Sequence, residues 1–315
     1  MTTIAVASRS FSRHPILRAE LLARYPDARF NDDGLSLSGA GLIDFLNGAE
    51  KVITALERLD ETVFTALPDL KVVSKYGVGF DMIDLDAMIR SGVKLGWTGG
   101  VNRRSVAELV ISLSIALLRR LPEATAEVRA GKWRQIMGRQ LSSCTVGIIG
   151  CGHVGKLLGQ LLLPFGCRVL AHDILDFPEY YAETGVQATG IDDLLKASDI
   201  VTLHLPLDAS TINILNADRL PLMREGSFLI NAARGGLVDE AALKKALMNG
   251  PLAGAAFDVF VDEPPTDREL LDLPTFIVTP HIGGSTEEAV LNMGRAAIGG
   301  LDDYGDPRRI TGTAS

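Results

Sequence analysis

Apolar residues follow two rhythms along the chain. Short, nearly continuous runs bounded by turn residues occur at 3–8 (TIAVAS), 51–54 (KVIT), 70–74 (LKVVS) and 93–95. Runs of this kind read as strands covered on both faces. Between them lie segments of helical spacing: 15–25, opened by Pro15; 42–46; and 83–90, closed by Gly92. Strands that alternate with helices imply a parallel sheet, so roughly the first hundred residues read as a small α/β domain.

The rhythm breaks at 98–102 (TGGVN), the hinge candidate. Residues 105–132 then read as a long helical stretch, with Ser105 as N-cap, Glu108 completing a capping box and Pro122 kinking or interrupting it. Its apolar residues (Val106, Leu109, Val110, Leu113, Ile115, Leu117, Leu118) exceed one stripe, which predicts a helix sandwiched between domains or buried in a dimer interface. Strands are expected at 199–205, 226–231, within 252–260 and at 275–279, and Asp239 is expected to cap a helix from Glu240. A last helix, 285–301, is expected to return to the first domain. The predicted fold class is α/β, with two Rossmann/flavodoxin-like domains of doubly wound parallel sheet and the active-site cleft between them. The expected domains are 1–99 plus 287–315 for substrate and 100–286 for a dinucleotide.

The organising stretch is 146–173, VGIIGCGHVGKLLGQLLLPFGCRVLAHD. It reads as strand, glycine turn, helix, strand, acid. Gly150 permits the sharp turn, Gly152 lets backbone approach a pyrophosphate, and Gly155 lets helix and strand pack closely. The helix N-terminus offers unpaired N–H groups to phosphates. Asp173 stands eighteen residues past Gly155, where a carboxylate accepts ribose hydroxyls and repels a 2′-phosphate. NAD is therefore expected rather than NADP. A glycine turn alone is a common feature; the strand, helix and acid around this one argue against an ordinary βαβ turn.

Composition narrows the class further. Of 315 residues, 47% are hydrophobic and 22% charged, a globular balance, and the net charge of −8 with only isolated arginine pairs argues against a nucleic-acid partner. Cys144, Cys151 and Cys167 are odd in number and lack metal-ligand spacing, so no metal and reduced thiols are expected. No charged-then-apolar leader and no membrane-length apolar run occur, which gives a cytoplasmic expectation without membrane contact.

In doubly wound sheets, ligands bind beyond the carboxyl ends of strands, so the candidates are polar residues just past strand ends. Arg234 can grip a carboxylate by two parallel hydrogen bonds. Among the five histidines, His281 is the best proton donor. His204 reads as a packed histidine, His14 as surface, and His153 and His172 as positional beside the cofactor turn. Glu263 or Asp262 would orient the His281 ring and favour its charged form; their chemistry alone does not separate them. Arginine, histidine and carboxylate together suit hydride exchange at a 2-hydroxy acid.

The chain resembles the D-isomer-specific 2-hydroxyacid dehydrogenase family, which includes phosphoglycerate dehydrogenases. The likeness rests on KYGVGFDMIDLDA (75–87), VNRRSVAELVISL (101–113), VGIIGCGHVGK (146–156), HLPLDAST (204–211), LINAARGGLVDEAAL (229–243), AFDVFVDEPP (256–265) and TPHIGGSTEEA (279–289). It implies Arg234, Glu263 and His281 as the catalytic set, choosing Glu263 over Asp262. It implies cofactor contacts at Gly150, Gly152, His153, Val154, Gly155, Asp173, His204, Pro206, Thr211, Ala232, Asp258 and Gly283, with Asp258 on the nicotinamide carboxamide. It implies substrate contacts at Lys75, Tyr76, Val78, Gly79, Asn102, Arg234 and His281; Val78 and Gly79 match the loop whose N–H groups hold the carboxylate, and Asn102 and Ser105 the cleft lining. A 2-hydroxy or 2-keto acid substrate and a homodimer through the cofactor domain follow. Departures are Gly99 where proline is common, Lys75 where phosphoglycerate dehydrogenases often have arginine, and Tyr76 where a small residue is usual. Lys75 meets a phosphate or second carboxylate only as a point charge, and Tyr76 is expected to narrow the pocket. The chain ends soon after its last helix, which implies no appended regulatory domain. Glyoxylate or hydroxypyruvate reductases, phosphonate dehydrogenases and non-enzymatic NAD(H)-sensing co-repressors share the resemblance.

Overall fold

Each short apolar run becomes a parallel strand in the computed structural model, which describes residues 2–312. The chain divides into two units, Met1–Asn102 with Glu287–Ser315, and Arg103–Thr286.

In the first unit, β1 (Ile4–Val6), β2 (Arg29–Phe30), β3 (Lys51–Thr54), β4 (Val72–Lys75) and β5 (Lys94–Gly96) pair in the order β2-β1-β3-β4-β5. Alternate residues face opposite layers, as strand geometry requires. Ala5, Val52, Val73 and Leu95 join one apolar cluster, while Ile4, Val6 and Ile53 join another with Leu17 and Leu21 of the helix Pro15–Arg24. His14 caps that helix, its Nδ1 accepting from Leu17 N at 3.4 Å. The helix Glu287–Gly300 lies on this sheet: a Cβ on Gly96 would meet Gly300 O at 2.0 Å, and Ser74 Oγ donates to Ala297 O at 2.6 Å.

In the second unit, β6 (Thr145–Ile149), β7 (Arg168–His172), β8 (Gln187–Ala188), β9 (Ile200–Leu203), β10 (Ser227–Asn231), β11 (Leu252–Phe257) and β12 (Phe276–Val278) form a sheet of order β12-β11-β10-β9-β6-β7-β8, again parallel. The order reverses between β6 and β9, the switch point where doubly wound sheets open a ligand crevice. One face carries Val146, Ile148, Val169 and Ile230, the other Ile149, Leu170, Val201 and Phe257.

The segment 105–132 departs from expectation at its start, and near Pro122 it is interrupted rather than kinked. It forms two helices, Arg103–Leu118 and Leu121–Arg129, and the break is Arg120 in a left-handed conformation (φ 51°), with Pro122 in the first turn of the second helix. Ser105 lies inside the first helix rather than at its cap, and its Oγ donates to Gly283 O at 2.6 Å. Glu108 pairs with Arg104 one turn away instead of closing a capping box. The broad apolar surface of Arg103–Leu118 is used within its own unit: Val106, Ala107, Val110, Leu113 and Leu117 enter the cluster formed with β6, β10 and the helix His153–Leu162. Two short helices, Arg9–Arg13 and Glu61–Ala66, escaped the periodicity because each is barely a turn or two. Their caps, Ser8 and Asp60, accept N–H bonds at the expected offset of three residues. Among the described residues no helix is long and apolar enough to cross a membrane.

At the carboxyl end of β9, burial pushes the pKa of His204 down to about 3, and its Nε2 lies 3.0 Å from Thr202 Oγ1. The unfolded chain binds this proton near pH 6.5. Between pH 6.5 and 3 the unfolded state therefore holds more protons, and stability falls as the pH falls through that window. The effect is on the order of a few kcal/mol, since each pKa unit corresponds to about 1.4 kcal/mol. Thermal melts from pH 7 to pH 4 should show wild-type protein losing more stability than His204→Gln; parallel curves would rule out this source of acid sensitivity.

Candidate active site

The carboxyl edge of the second sheet gathers the polar residues. At the end of β6 the chain turns at Gly150 with φ 99°, where a Cβ would meet His204 O at 2.5 Å. A Cβ on Gly155 would lie 2.0 Å from Gly150 O, so the helix His153–Leu162 can pack this closely only with glycine there. Gly152 precedes that helix and a Cβ on it would meet nothing within 4 Å, so the turn is open on that side. His153 is exposed and Val154 half-buried in the first turn of the helix. Asp173, past the end of β7, accepts from Cys151 N at 2.6 Å and from Leu175 N at 2.9 Å. Its carboxylate thus also stiffens the glycine turn. His172 Nδ1 lies 3.1 Å from Thr189 O, in keeping with a positional residue. Past β9, Thr211 is buried and its hydroxyl bridges Pro206 O at 2.8 Å and Asp208 N at 2.8 Å, shaping the loop that follows His204.

Beyond β10, the buried Asn231 builds the turn that presents Arg234. Its Oδ1 accepts from Ala233 N at 3.1 Å and its Nδ2 donates to Arg234 O at 2.8 Å. Ala232 is buried in this turn, and Arg234 Nη1 donates to Ala233 O at 2.7 Å. Gly235 follows in direct backbone contact with the neighbouring loop: a Cβ there would sit 1.9 Å from Phe260 O. Asn231 is a functional residue outside the expected set, and its signal in the sequence is a polar side chain closing a buried strand.

Past β12, His281 is a non-glycine residue with φ 54°. A left-handed residue within a turn points consecutive N–H groups toward one place and forms a nest for an anion. Asp258, at the end of β11 and 1% exposed, occupies that nest. His281 N donates to Asp258 O at 2.9 Å, Ile282 N to Oδ1 at 2.8 Å and Gly283 N to Oδ2 at 2.7 Å, while Thr279 Oγ1 donates to Oδ1 at 2.5 Å. Both Asp258 oxygens thus face the loop that carries His281, a use the carboxamide expectation did not include. The His281 side chain emerges 51% exposed, and its Nδ1 donates to Glu263 Oε2 at 2.9 Å. The other Glu263 oxygen accepts from Phe260 N at 3.1 Å. Glu263, not Asp262, is therefore the carboxylate on His281.

The remaining candidates belong to the first unit and form their own group at the carboxyl end of β4. Lys75 is buried, its ammonium donating to Ala55 O at 2.6 Å and Tyr76 O at 3.1 Å. Trp97 Nε1 donates to Val78 O at 2.8 Å, bracing the 75–79 loop, in which Gly79 is half-buried. Tyr76 is a correction. Rather than narrowing a pocket, its ring is 8% exposed in the apolar cluster with Ile4, Val6 and Ile53 and meets Phe11 edge-on at 5.5 Å. An aromatic residue just past a buried strand gains more by continuing the core than by facing solvent. Asn102 is the half-buried last residue before the second unit.

Comparison with known proteins places these features in company. Residues 111–283 match the family model described as D-isomer specific 2-hydroxyacid dehydrogenase, NAD binding domain. D-3-phosphoglycerate dehydrogenase of Homo sapiens is 36% identical over 283 residues, covering 89% of this chain and 53% of that protein. The chain spans about half the length of the curated relatives it matches. Among solved structures, a glyoxylate reductase from Paecilomyes thermophila superposes with a TM-score of 0.86 at 25% identity, covering 96% of each chain. D-lactate dehydrogenase from Aquifex aeolicus, complexed with NAD and lactic acid, gives a TM-score of 0.82 at 27% identity, covering 95% of this chain and 93% of that one.

Asp258→Asn keeps the shape of the side chain but turns one acceptor into an NH2 group facing a backbone donor. The substitution should destabilise the protein by about 1–3 kcal/mol in urea unfolding and speed amide exchange at Ile282 and Gly283. Wild-type exchange at both amides would show that the nest is held by other means.

Proposed function

The chain belongs to the D-isomer specific 2-hydroxyacid dehydrogenase family, and on that premise we propose that it is an NAD-dependent oxidoreductase. It moves a hydride between the nicotinamide and C2 of a small D-2-hydroxy or 2-keto acid, in the manner of a phosphoglycerate dehydrogenase. The observation that carries this reading is the 2.9 Å hydrogen bond between His281 Nδ1 and Glu263, on the same sheet edge as Arg234.

Arg234 holds the substrate carboxylate through its planar fork. With Nδ1 committed to Glu263, His281 serves the C2 oxygen through Nε2, taking its proton in oxidation and returning it in reduction. Glu263 keeps the ring in that tautomer and orientation. The open side of Gly152, the N-terminus of the helix His153–Leu162 and the Asp173 carboxylate fit a dinucleotide without a 2′-phosphate. When bound, NAD supplies or accepts the hydride. The three buried free cysteines suit a reducing, cytoplasmic setting.

A panel of 2-keto acids with NADH and NADPH tests the reading. It should include pyruvate, glyoxylate, hydroxypyruvate and phosphohydroxypyruvate, with phosphite and NAD⁺ for the oxidative direction, and compare wild type with Lys75→Ala. Turnover with at least one keto acid, preference for NADH and a loss of about 10²-fold or more in kcat for His281→Ala with NADH binding retained are expected. No turnover with any acid would favour a non-enzymatic NAD(H)-sensing protein instead.

The proposed dimer forms through the second unit. Trp133 and Met137 are 88% and 92% exposed on the segment after the helix Leu121–Arg129, where Leu121 and Val128 are also exposed. Around Pro122 lies a hollow of about 330 Å³, lined by Leu117, Phe228 and Ile277 together with Arg120 and Glu123. Large apolar side chains grouped this way mark an association surface. Sedimentation velocity should give a dimer for wild type and a monomer for Trp133→Ser combined with Met137→Ser; a wild-type monomer at micromolar concentration would end this part of the reading.

A further inference from the structure

The turn that carries Glu263 is gripped by a side chain with no place so far in the chemistry. Val261 N donates to Glu240 Oε1 at 2.9 Å, while the preceding N–H, that of Phe260, donates to Glu263 itself at 3.1 Å. Consecutive amides of one turn are thus held by two carboxylates, one within the turn and one across from it. Glu240 is the first residue of the helix Glu240–Asn249, whose start is fixed by Asp239 accepting from Ala241 N and Ala242 N at 3.0 Å each. The same helix grips the far end of the loop, where Lys244 Nζ donates to Asp267 at 2.8 Å.

This helix follows directly on the Arg234 turn. Gly235 touches Phe260, and Leu237 and Val238 are fully buried between Gly236 and Asp239. The Arg234 turn and the Glu263 turn therefore meet at two points: a close backbone approach at Gly235 and a hydrogen bond at Glu240. Phe260 is also anchored by its buried ring against Phe257 and Phe276, so the freedom left to the turn lies beyond it, from Val261 to Glu263. A second tether removes that freedom.

We propose that Glu240 is a positioning residue. By holding Val261 it fixes the Glu263 turn against the Arg234 turn, and so sets the spacing between the carboxylate-binding arginine and the Glu263/His281 pair. This inference rests on the functional reading of Arg234 and His281 given above. The competing role for an acid at a helix start is interaction with the helix dipole, which needs charge but no reach.

Two substitutions separate these roles. Glu240→Gln keeps the acceptor at full reach and removes the charge. Glu240→Asp keeps the charge and withdraws the oxygen by one methylene. Glu240→Gln should stay within about twofold of wild type in kcat, and Glu240→Asp should lose about tenfold, with the KM for NADH unchanged in both. The hydrogen-bonded Nδ1 proton of His281, read by NMR, should persist in Glu240→Gln and broaden in Glu240→Asp. Thermal melts check that both variants are folded. A fully active Glu240→Asp with a sharp His281 signal, or an impaired Glu240→Gln, overturns the proposal. Absence of turnover in wild type would overturn the functional reading instead, and the NMR comparison would still decide whether Glu240 holds the turn.

Discussion

The geometry of the site depends on one buried carboxylate. Asp258 sits at the end of β11 with almost no exposure, where an ionisable group is costly unless its oxygens are matched by donors. The matching donors are the amides of Ile282 and Gly283 and the hydroxyl of Thr279, with the His281 amide on its main-chain oxygen. Three successive amides can converge in this way only if His281 takes its left-handed conformation, and the bonds in turn hold that conformation in place. The backbone and Asp258 therefore fix where the His281 side chain leaves the loop, and Glu263 then orients the ring.

The same device recurs around the sheet. Asn231 shapes the Arg234 turn, Asp173 binds an amide of the glycine turn, and Thr211 closes the loop beyond β9. On the opposite edge, Asp199 is 5% exposed in its side chain and accepts from Thr145 N at 2.8 Å, Arg139 at 3.0 Å and Arg224 at 2.8 Å. Apolar runs build a platform with no orientation preference of its own. Buried polar residues at the strand ends then convert that platform into defined loops, because each unsatisfied polar atom there would cost about 1–3 kcal/mol.

Much of this was legible in the chain itself. The inner strand positions followed from apolar runs, because a parallel strand covered on both faces has little choice of composition, whereas the two-residue edge strands β2 and β8 are not apolar runs and escaped that pattern. The glycines at 150 and 155 meet different constraints, one of dihedral and one of space, which their spacing already implied, while Gly152 leaves the turn open. Arg234, His281 and a carboxylate at 262 or 263 were reached by asking only which polar residues follow strand ends. Less legible were features in which two separated segments compete for one residue. Ser105 has the spacing of a helix cap, yet the helix begins at Arg103 and the hydroxyl bonds Gly283, far along the chain. Tyr76 follows a strand as a substrate residue would, yet Phe11 and the neighbouring cluster offer it a drier site.

What the sequence determined alone was the periodic part: a parallel α/β architecture, a turn built for a dinucleotide and a short set of reactive side chains. These follow from local rules, since apolar spacing and glycine placement act within a few residues. Tertiary structure decided which carboxylate faces His281, that Asp258 binds the amides following its own strand's neighbour, and that Glu240 reaches Val261. Each of those pairs joins residues from different strand ends. Their meeting depends on strand order and register, which hydrogen bonding across the sheet sets and no local pattern records.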